Sequence, residues 1–233
     1  MIDIHTHILP GVDDGAKTME EALEMIKAAE TFGVTDIILT PHNMHKGQYD
    51  VHPTKLKEIF NELVKRVKEE RLNVNIYLGN EIFLTPKVVD RIHKGDSLTL
   101  SGTNYVLFEF SMMKEYLDAE EIIYDLNAAG YKVIIAHPER YGYCQKVEDV
   151  LRYKKYGAQI QVNSSAVTGL YGKKVQKLVF KLLKLDEVDY ISSDTHISRK
   201  FTLKDAFEIV KKKFGPEVAK KIFNENPKVI IGK

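Results

Sequence analysis

At 233 residues the chain can bury one sizeable core, and we expect a single domain over residues 1–233 because α/β barrels of this length are common. Lysine and arginine number 34 against 33 aspartates and glutamates, so net charge gives no general attraction to nucleic acid or anionic lipid. The chain has one cysteine, and its first ten residues lack the features of a secretory signal, which predicts a cytosolic protein. No apolar stretch approaches the roughly 20 residues that span a bilayer, so we expect no membrane insertion.

Short apolar, β-branched runs alternate with longer amphipathic stretches along the chain, which predicts strand–helix units around a parallel sheet. The seven predicted strands cover residues 2–5, 36–40, 74–78, 105–110, 132–136, 159–162 and 188–192. Between these units we find neither a repeat nor a linker rich in Gly, Pro or Ser. The sequence therefore predicts an α/β fold of the distorted (β/α)7 type, similar to a TIM barrel.

Helix signals follow most of these strands. The first helix begins after Thr18, which is spaced from Glu21 as in a capping box, and it ends before Gly33. The predicted helices cover residues 19–32, 54–71, 119–129, 147–156, 173–184 and 203–214. Pro86 is expected at the first position of a further short helix.

Potential metal ligands occur at or just after the C-terminal ends of six of the seven predicted strands, which is the end that carries the active site in parallel barrels. These residues are His5, His7, Asp14, His42, Glu81, Glu109, His137, Asp194 and His196. Only the sixth strand ends differently, with Asn163. Imidazole and carboxylate are the usual ligands of Zn²⁺, Mn²⁺ and Fe²⁺, so the set predicts a metal site.

The number of candidate ligands predicts more than one ion. His5 with His7, and Asp194 with His196, are two residues apart, which places each pair on one side of an extended segment. A bridging carboxylate such as Glu81 would let two or three ions lie about 3.5–4 Å apart. Such clusters lower the pKa of a bound water and bind tetrahedral anions, so the pattern indicates a phosphoesterase with water as the nucleophile.

Two arginines follow the histidines of the predicted site. Arg140 and Arg199 lie three residues after His137 and His196, where a guanidinium could bind phosphate oxygens with paired hydrogen bonds. The alternative for each is a salt bridge to an acid at the rim of the barrel.

Several residues have plainer interpretations. A lone histidine is more often structural than a metal ligand, and we assign no metal role to His45, His52 or His93. The segment around Asp14 could be a turn in which Gly15 takes a conformation that other residues avoid. Cys144 lacks the arginine six residues later that a cysteine-dependent phosphatase needs, so we interpret it as an ordinary thiol.

The motifs resemble those of a known group of proteins. They are MIDIHTHILPGVDDG, TPH, GNEI, VLFEF, IAHPER and SSDTH, and they follow the order found in the PHP (polymerase and histidinol phosphatase) superfamily. The DDG, EFS and AHPERY segments are most similar to the CpsB- or YwqE-like manganese-dependent protein-tyrosine phosphatases of bacterial capsule and exopolysaccharide loci. The resemblance covers essentially the whole chain.

The resemblance implies a barrel with three metal ions, Mn²⁺ first and Fe or Zn²⁺ as alternatives. It assigns one ion to His5, His7, Glu81 and Asp194, a second to Glu81, Glu109 and His137, and a third to Asp14, His42 and His196. It places Asp194 and His196 in the catalytic group and implies that Arg140 and Arg199 contact the substrate phosphate. The loop before Arg199 is shorter than in most relatives, and Asn43 stands where many relatives have a second histidine.

The resemblance also implies a partner, a phosphotyrosine protein that is a membrane-associated tyrosine kinase controlling polysaccharide export. Two other functions stay open on the sequence. One is a small-molecule phosphatase such as a histidinol-phosphate phosphatase, and the other is a non-catalytic metal-binding or kinase-binding module. Residues 111–118 are a candidate substrate-facing loop.

Overall fold

A computed structural model of the chain describes residues 1–45 and 48–233. Its strands are β1 (Ile2–Thr6), β2 (Asp36–Leu39), β3 (His42–Asn43), β4 (Asn75–Leu78), β5 (Glu81–Phe83), β6 (Tyr105–Glu109), β7 (Lys132–Ala136), β8 (Gln159–Asn163) and β9 (Tyr190–Ser192). Its α-helices are α1 (Met19–Thr31), α2 (Pro53–Glu69), α3 (Val88–Lys94), α4 (Ala119–Ala128), α5 (Val147–Lys154), α6 (Ser164–Thr168), α7 (Lys173–Lys184), α8 (Leu203–Phe214), α9 (Pro216–Lys220) and α10 (Asn226–Ile230).

The strands pair in parallel, and the segment that follows the last strand pairs with the first strand. One sheet has the order β1-β2-β4 and the other has the order β3-β5-β6-β7-β8-β9. The segment after β9 pairs with β1, since the amide of Asp194 donates to the carbonyl of His5 at 2.9 Å and Thr6 forms a parallel bridge to Thr195. The predicted α/β class and its parallel strands are confirmed.

Two of the predicted strands do not end where the sequence predicts an end; each is interrupted there and then continues as a second, short strand. β2 stops before Thr40 and Pro41, and the chain resumes pairing as β3; β4 likewise resumes as β5 after Gly79. A Cβ atom on Gly79 would lie 2.9 Å from a methyl carbon and 3.1 Å from the Cα atom of Leu100, so the close approach of the two backbones favours glycine there. As a result His42 and Glu81 lie within short strands rather than after long ones.

Two apolar clusters surround the sheet. The larger lies between the strands and the helices that cover them. The smaller contains alternate residues of the strands, including Ile4, Leu107 and Ile134, together with Ile230 and Ile231 from the end of the chain. This second cluster fills the space on the opposite side of the strands. The sequence patterns did not predict the C-terminal helices α9 and α10.

The predicted helices are present with small changes at their ends. Thr18 caps α1 by accepting from the amide of Glu21, whereas the Glu21 carboxylate accepts from the amide of Lys17. Pro86 is not at the first position of α3, because the amide of Val88 donates to the carbonyl of Thr85 and places Pro86 in the preceding turn. In the part of the chain that the structure describes, no helix combines the length and apolarity needed to cross a membrane.

Candidate metal centre

The predicted ligands converge on one site at the C-terminal ends of the strands. Their ligand atoms form overlapping groups within 4.8 Å of one another, including His5 with His7 and Glu81, and Glu81 with Glu109 and His137. A third group joins His7 to Asp14, His42 and His196. Nearly all of these side chains are buried, with Asp14 at the exposed edge.

Glu81 lies at the middle of the site. Its Oε1 is 2.8 Å from His137 Nε2 and 3.3 Å from His5 Nε2, and its Oε2 is 3.4 Å from His7 Nε2. Burial opposes ionisation of this carboxyl, but the imidazoles of His5 and His42 hold its pKa well below the usual range. Glu81 is therefore an ionised carboxylate with both oxygens turned towards histidines, as a bridging ligand requires.

The hydrogen bonds of His5 and His7 fit a cation between them. His5 Nδ1 is 2.9 Å from Gln161 Oε1, and His7 Nδ1 is 2.7 Å from Asp13 Oδ2. Because these oxygens can accept, each ring can carry a proton on Nδ1, and Nε2 is then the atom that can bind a cation. The two Nε2 atoms lie 3.2 Å apart, which is favourable when a cation accepts both lone pairs.

A second pair of atoms supports the same conclusion. His42 Nδ1 and Glu81 Oε2 lie 2.8 Å apart, yet both atoms are buried without a hydrogen-bond partner among the described residues. Buried polar atoms in that condition are costly, and a shared divalent ion would satisfy both. The donor set of imidazole nitrogens and carboxylate oxygens therefore fits a metal centre.

Two candidate ligands have left-handed backbone conformations. His137 has φ 35° and Asp194 has φ 49°, in a region that residues other than glycine rarely adopt. Such conformations persist where the surrounding structure over-determines them, and they concentrate at functional sites. Here they turn the two side chains from the ends of β7 and β9 towards the cluster.

Asp13 positions two histidines, a role that the sequence did not reveal. Its Oδ2 accepts from the amide of His42 at 3.0 Å as well as contacting His7, and its Oδ1 accepts from the amide of Gly15 at 2.9 Å. Gly15 does not have the positive φ expected of it in a turn. It is required because a Cβ atom there would lie 1.9 Å from the carbonyl oxygen of His7.

β8 contributes no candidate ligand and instead orients two of them. Gln161 accepts from His5 and donates through Nε2 to Asn163 Oδ1 at 2.9 Å. Asn163 Nδ2 in turn donates to Asp194 Oδ2 at 2.7 Å. A chain of side-chain amides thus connects His5 to Asp194, and it explains why the sixth strand ends in Asn163.

The open edge of the site is formed by Asp14 and His196. Asp14 Oδ1 is 3.2 Å from His196 Nε2 and 3.4 Å from His42 Nε2. The contact with His196 is the main reason that the pKa of Asp14 is lowered. Asp14 therefore stays ionised at the half-exposed mouth of the site, as a candidate metal ligand there must.

Arg140 and Arg199 both bind Asp194. Their guanidinium groups donate to Asp194 Oδ2 at 2.8 and 2.7 Å, so the salt-bridge alternative describes the contacts that they make here. Both arginines also line a cavity of about 190 Å³ above the cluster, together with Met112. They are thus positioned to bind an anion that enters this cavity.

The remaining histidines divide into two groups. His45 belongs to the cluster, because its Nδ1 lies 2.5 Å from Glu109 Oε2 and it forms a possible ligand group with His42 and Glu109. Sequence reasoning gave it no metal role, although its place three residues after His42 was a usable signal. His52 caps α2, and the His93 ring lies beside Tyr131, so neither belongs to the cluster.

Cys144 is buried, and burial raises the pKa of its thiol to about 12. A thiol with that pKa is almost entirely protonated at neutral pH and is a poor nucleophile. This favours its interpretation as an ordinary thiol.

A family model described as "Capsular polysaccharide synthesis, CpsB/CapC" matches residues 1–232. The chain belongs to this CpsB/CapC family. Among its relatives is the tyrosine-protein phosphatase YwqE of Bacillus subtilis, 33% identical over 99% of this chain and 91% of the relative. The tyrosine-protein phosphatase CpsB of Streptococcus pneumoniae is 33% identical over 99% of this chain and 98% of the relative.

A solved structure agrees with this membership. It comes from crystal structures of YwqE from Bacillus subtilis and CpsB from Streptococcus pneumoniae, which are described as metal-dependent tyrosine phosphatases. It covers 100% of this chain and 94% of its own chain with a TM-score of 0.93 and 31% sequence identity. A histidinol phosphate phosphatase from Lactococcus lactis matches with a TM-score of 0.59 at 14% identity over 96% of each chain, which shows a shared fold alone.

Proposed function

We propose that this CpsB/CapC family member is a metal-dependent phosphotyrosine-protein phosphatase that acts as a single domain over residues 1–233. The observation that carries the proposal is the juxtaposition of the carboxylate–imidazole cluster and two arginines around one small cavity. Full-length similarity to tyrosine-protein phosphatases supports the choice of substrate.

The proposed cofactor is a cluster of three ions, Mn²⁺ first and Fe or Zn²⁺ as alternatives. His5, His7, Glu81 and Asp194 would hold one, Glu81, Glu109 and His137 a second, and Asp14, His42 and His196 a third. The groups described above support this division without Asp194, whose Oδ1 lies 3.8 Å from His5 Nε2 and 3.5 Å from His7 Nε2. When bound, divalent ions supply a water of lowered pKa as nucleophile and neutralise charge on the phosphate. Asp13 and Gln161 keep the histidine lone pairs turned towards them.

The arginines bind the substrate in this proposal. When a phosphoryl group enters the cavity, Arg140 and Arg199 can each move one donor from Asp194 to a phosphate oxygen, because a guanidinium has several donors. Asp194 would stay held by Asn163 during this exchange. Asp194 and His196, which adjoin both the arginines and the proposed ions, complete the catalytic group.

The size of the cavity supports a phosphoprotein over a small substrate. Sites that enclose whole small ligands usually exceed about 300 Å³, whereas this cavity has about 190 Å³. It can enclose a phosphoryl group and leave the rest of the substrate outside. A tyrosine phenolate is also a good leaving group, so the chain needs no strong general acid.

The physiological partner in this proposal is a tyrosine kinase associated with the membrane and controlling capsule or exopolysaccharide synthesis. The capsular role of the family supports this choice. A cytosolic location for the phosphatase belongs to the same proposal and stays a prediction.

Comparing two substrates tests the proposal. The purified protein, supplied with Mn²⁺, should hydrolyse phosphotyrosyl peptides far faster than histidinol phosphate. Rapid turnover of histidinol phosphate with no release of phosphate from the peptides would refute the tyrosine-phosphatase assignment. Absence of turnover on both, with metal bound, would instead favour a non-catalytic binding module.

A further inference from the structure

A groove with a volume of about 730 Å³ lies between α5 and α7. Five lysines line it, Lys146, Lys174, Lys177, Lys181 and Lys184, against one acid, Glu148. The four on α7 are spaced by three or four residues, so they form a row along one face of that helix. The overall charge of the chain is only +1, so this groove is a local concentration of positive charge.

Apart from Glu148, the acids next to the lysine row are bound to other groups. Asp186 pairs with Lys221 at 2.7 Å, Glu187 pairs with Lys154 at 3.0 Å, and Asp149 accepts from the amides of Gln145 and Lys146. In residues 1–45 and 48–233 none of the five groove lysines has a carboxylate within 4.0 Å. The charge of the groove is therefore left for a partner.

The position of the lysines along α7 also lowers the stability of that helix. α7 begins with Lys173 and Lys174 and has no acid in its first turn, although the positive N-terminal end of a helix dipole favours acids there. Lysines three or four residues apart repel one another. The lysine row thus destabilises α7 both through the helix dipole and through repulsion between its lysines. Binding of an anionic ligand would explain why the lysines are there.

The groove begins beside the metal cavity. The guanidinium of Arg140 lies 5.4 Å from the centre of the Tyr171 ring, and Tyr171 stands directly before Gly172, which caps α7. On the other wall, the Gln145 side chain donates to the carbonyl of Gly142, whose amide donates to Met112 at the cavity. Lys174 then reaches across to Gln145.

We propose that the groove between α5 and α7 binds an acidic segment of the phosphotyrosine polypeptide whose phosphoryl group enters the metal cavity. The inference rests on the proposed function and adds a preference for substrates with Asp or Glu a few residues from the phosphotyrosine. α7 is about 18 Å long, which equals about five residues of extended peptide. A concave surface near a catalytic cavity suits a polypeptide better than a flat membrane.

The test compares peptides that differ only in flanking charge. Phosphotyrosyl peptides with four glutamates on the N-terminal or C-terminal side are matched to peptides with glutamines, and hydrolysis is measured with the Mn²⁺-loaded protein. One of the acidic peptides should have a KM about tenfold below that of its glutamine counterpart. The double variant Lys177→Glu/Lys181→Glu should remove this difference.

Two controls make the outcome specific. The double variant Lys57→Glu/Lys68→Glu reverses two exposed lysines of α2 and should leave the KM difference intact. All three proteins should hydrolyse p-nitrophenyl phosphate equally, because that substrate does not reach the groove. An acidic-peptide KM that is unchanged in the groove variant would overturn the proposal.

Binding measured without turnover separates this proposal from the proposed function. Fluorescence anisotropy of labelled acidic peptides should show weaker binding to the groove variant than to the unaltered protein. If that difference appears but no phosphotyrosyl peptide is hydrolysed, the groove survives and the phosphatase assignment fails. Loss of binding to anionic vesicles, with peptide binding unchanged, would identify a membrane-facing surface and overturn the proposal.

Discussion

Replacing Gln161 by methionine tests the amide chain that connects two candidate ligands. Methionine has nearly the same shape as glutamine but cannot accept from His5 Nδ1 or donate to Asn163 Oδ1, so two hydrogen bonds of 2.9 Å are lost in a buried place. Each polar atom left unsatisfied costs about 1–3 kcal/mol of stability. The His5 proton is then free to occupy Nε2, which removes the lone pair offered to the metal.

Partners that orient a metal-ligating histidine are typically worth about 10–100-fold in metal affinity. We therefore expect Gln161→Met to weaken Mn²⁺ binding by that factor, measured by calorimetric titration of metal-free protein. Gln159→Met is the matched control, because Gln159 lies on the same strand and contacts Tyr190 instead. Manganese affinity within about threefold of the unaltered protein would refute the orienting role even if urea unfolding showed lower stability.

Three further predictions concern the site directly. His7→Ala and Asp194→Ala should abolish peptide hydrolysis and leave the circular dichroism spectrum folded, whereas His93→Ala, outside the cluster, should keep full activity; equal activity in all three would contradict the ligand assignment. Arg140→Lys should lower kcat/KM by roughly 100-fold, because a lysine cannot hold Asp194 and a phosphate oxygen with the same fork of donors, and an unchanged value would remove Arg140 from substrate binding. Cys144→Ser should remain active. In the unaltered protein a thiol pKa of about 12 leaves about one thiolate in 10⁴ at pH 8, so iodoacetamide should label Cys144 only after unfolding. Rapid labelling of the folded protein would contradict this expectation.

The convergence of the candidate ligands could be predicted because it depends on strand ends. Parallel strands bring their C-terminal ends to one edge, so the position of His5, Glu109 or His137 along the chain already specifies where it lies. The same rule placed no candidate ligand on β8. It did not show that Gln161 and Asn163 orient the ligands of other strands, because those hydrogen bonds join residues far apart in sequence.

The features that the sequence did not predict depend on contacts that leave no periodic pattern in the sequence. Asp13 and Asp14 are adjacent acids, and only the packing of Gly15 against His7 decides which one turns inward. His45 returns to the cluster from a loop that follows β3. The packing of Ile230 and Ile231 against the smaller apolar cluster joins the end of the chain to its beginning, which a local pattern does not reveal.

Activity as a function of metal content shows whether hydrolysis depends on metal bound at the cluster. Chelator-treated, metal-free protein should not hydrolyse a phosphotyrosyl peptide, and titration with Mn²⁺ should restore activity in step with bound metal up to three ions per chain. Elemental analysis of the same samples gives the metal content. Full activity in protein shown to be free of metal would contradict metal-dependent hydrolysis.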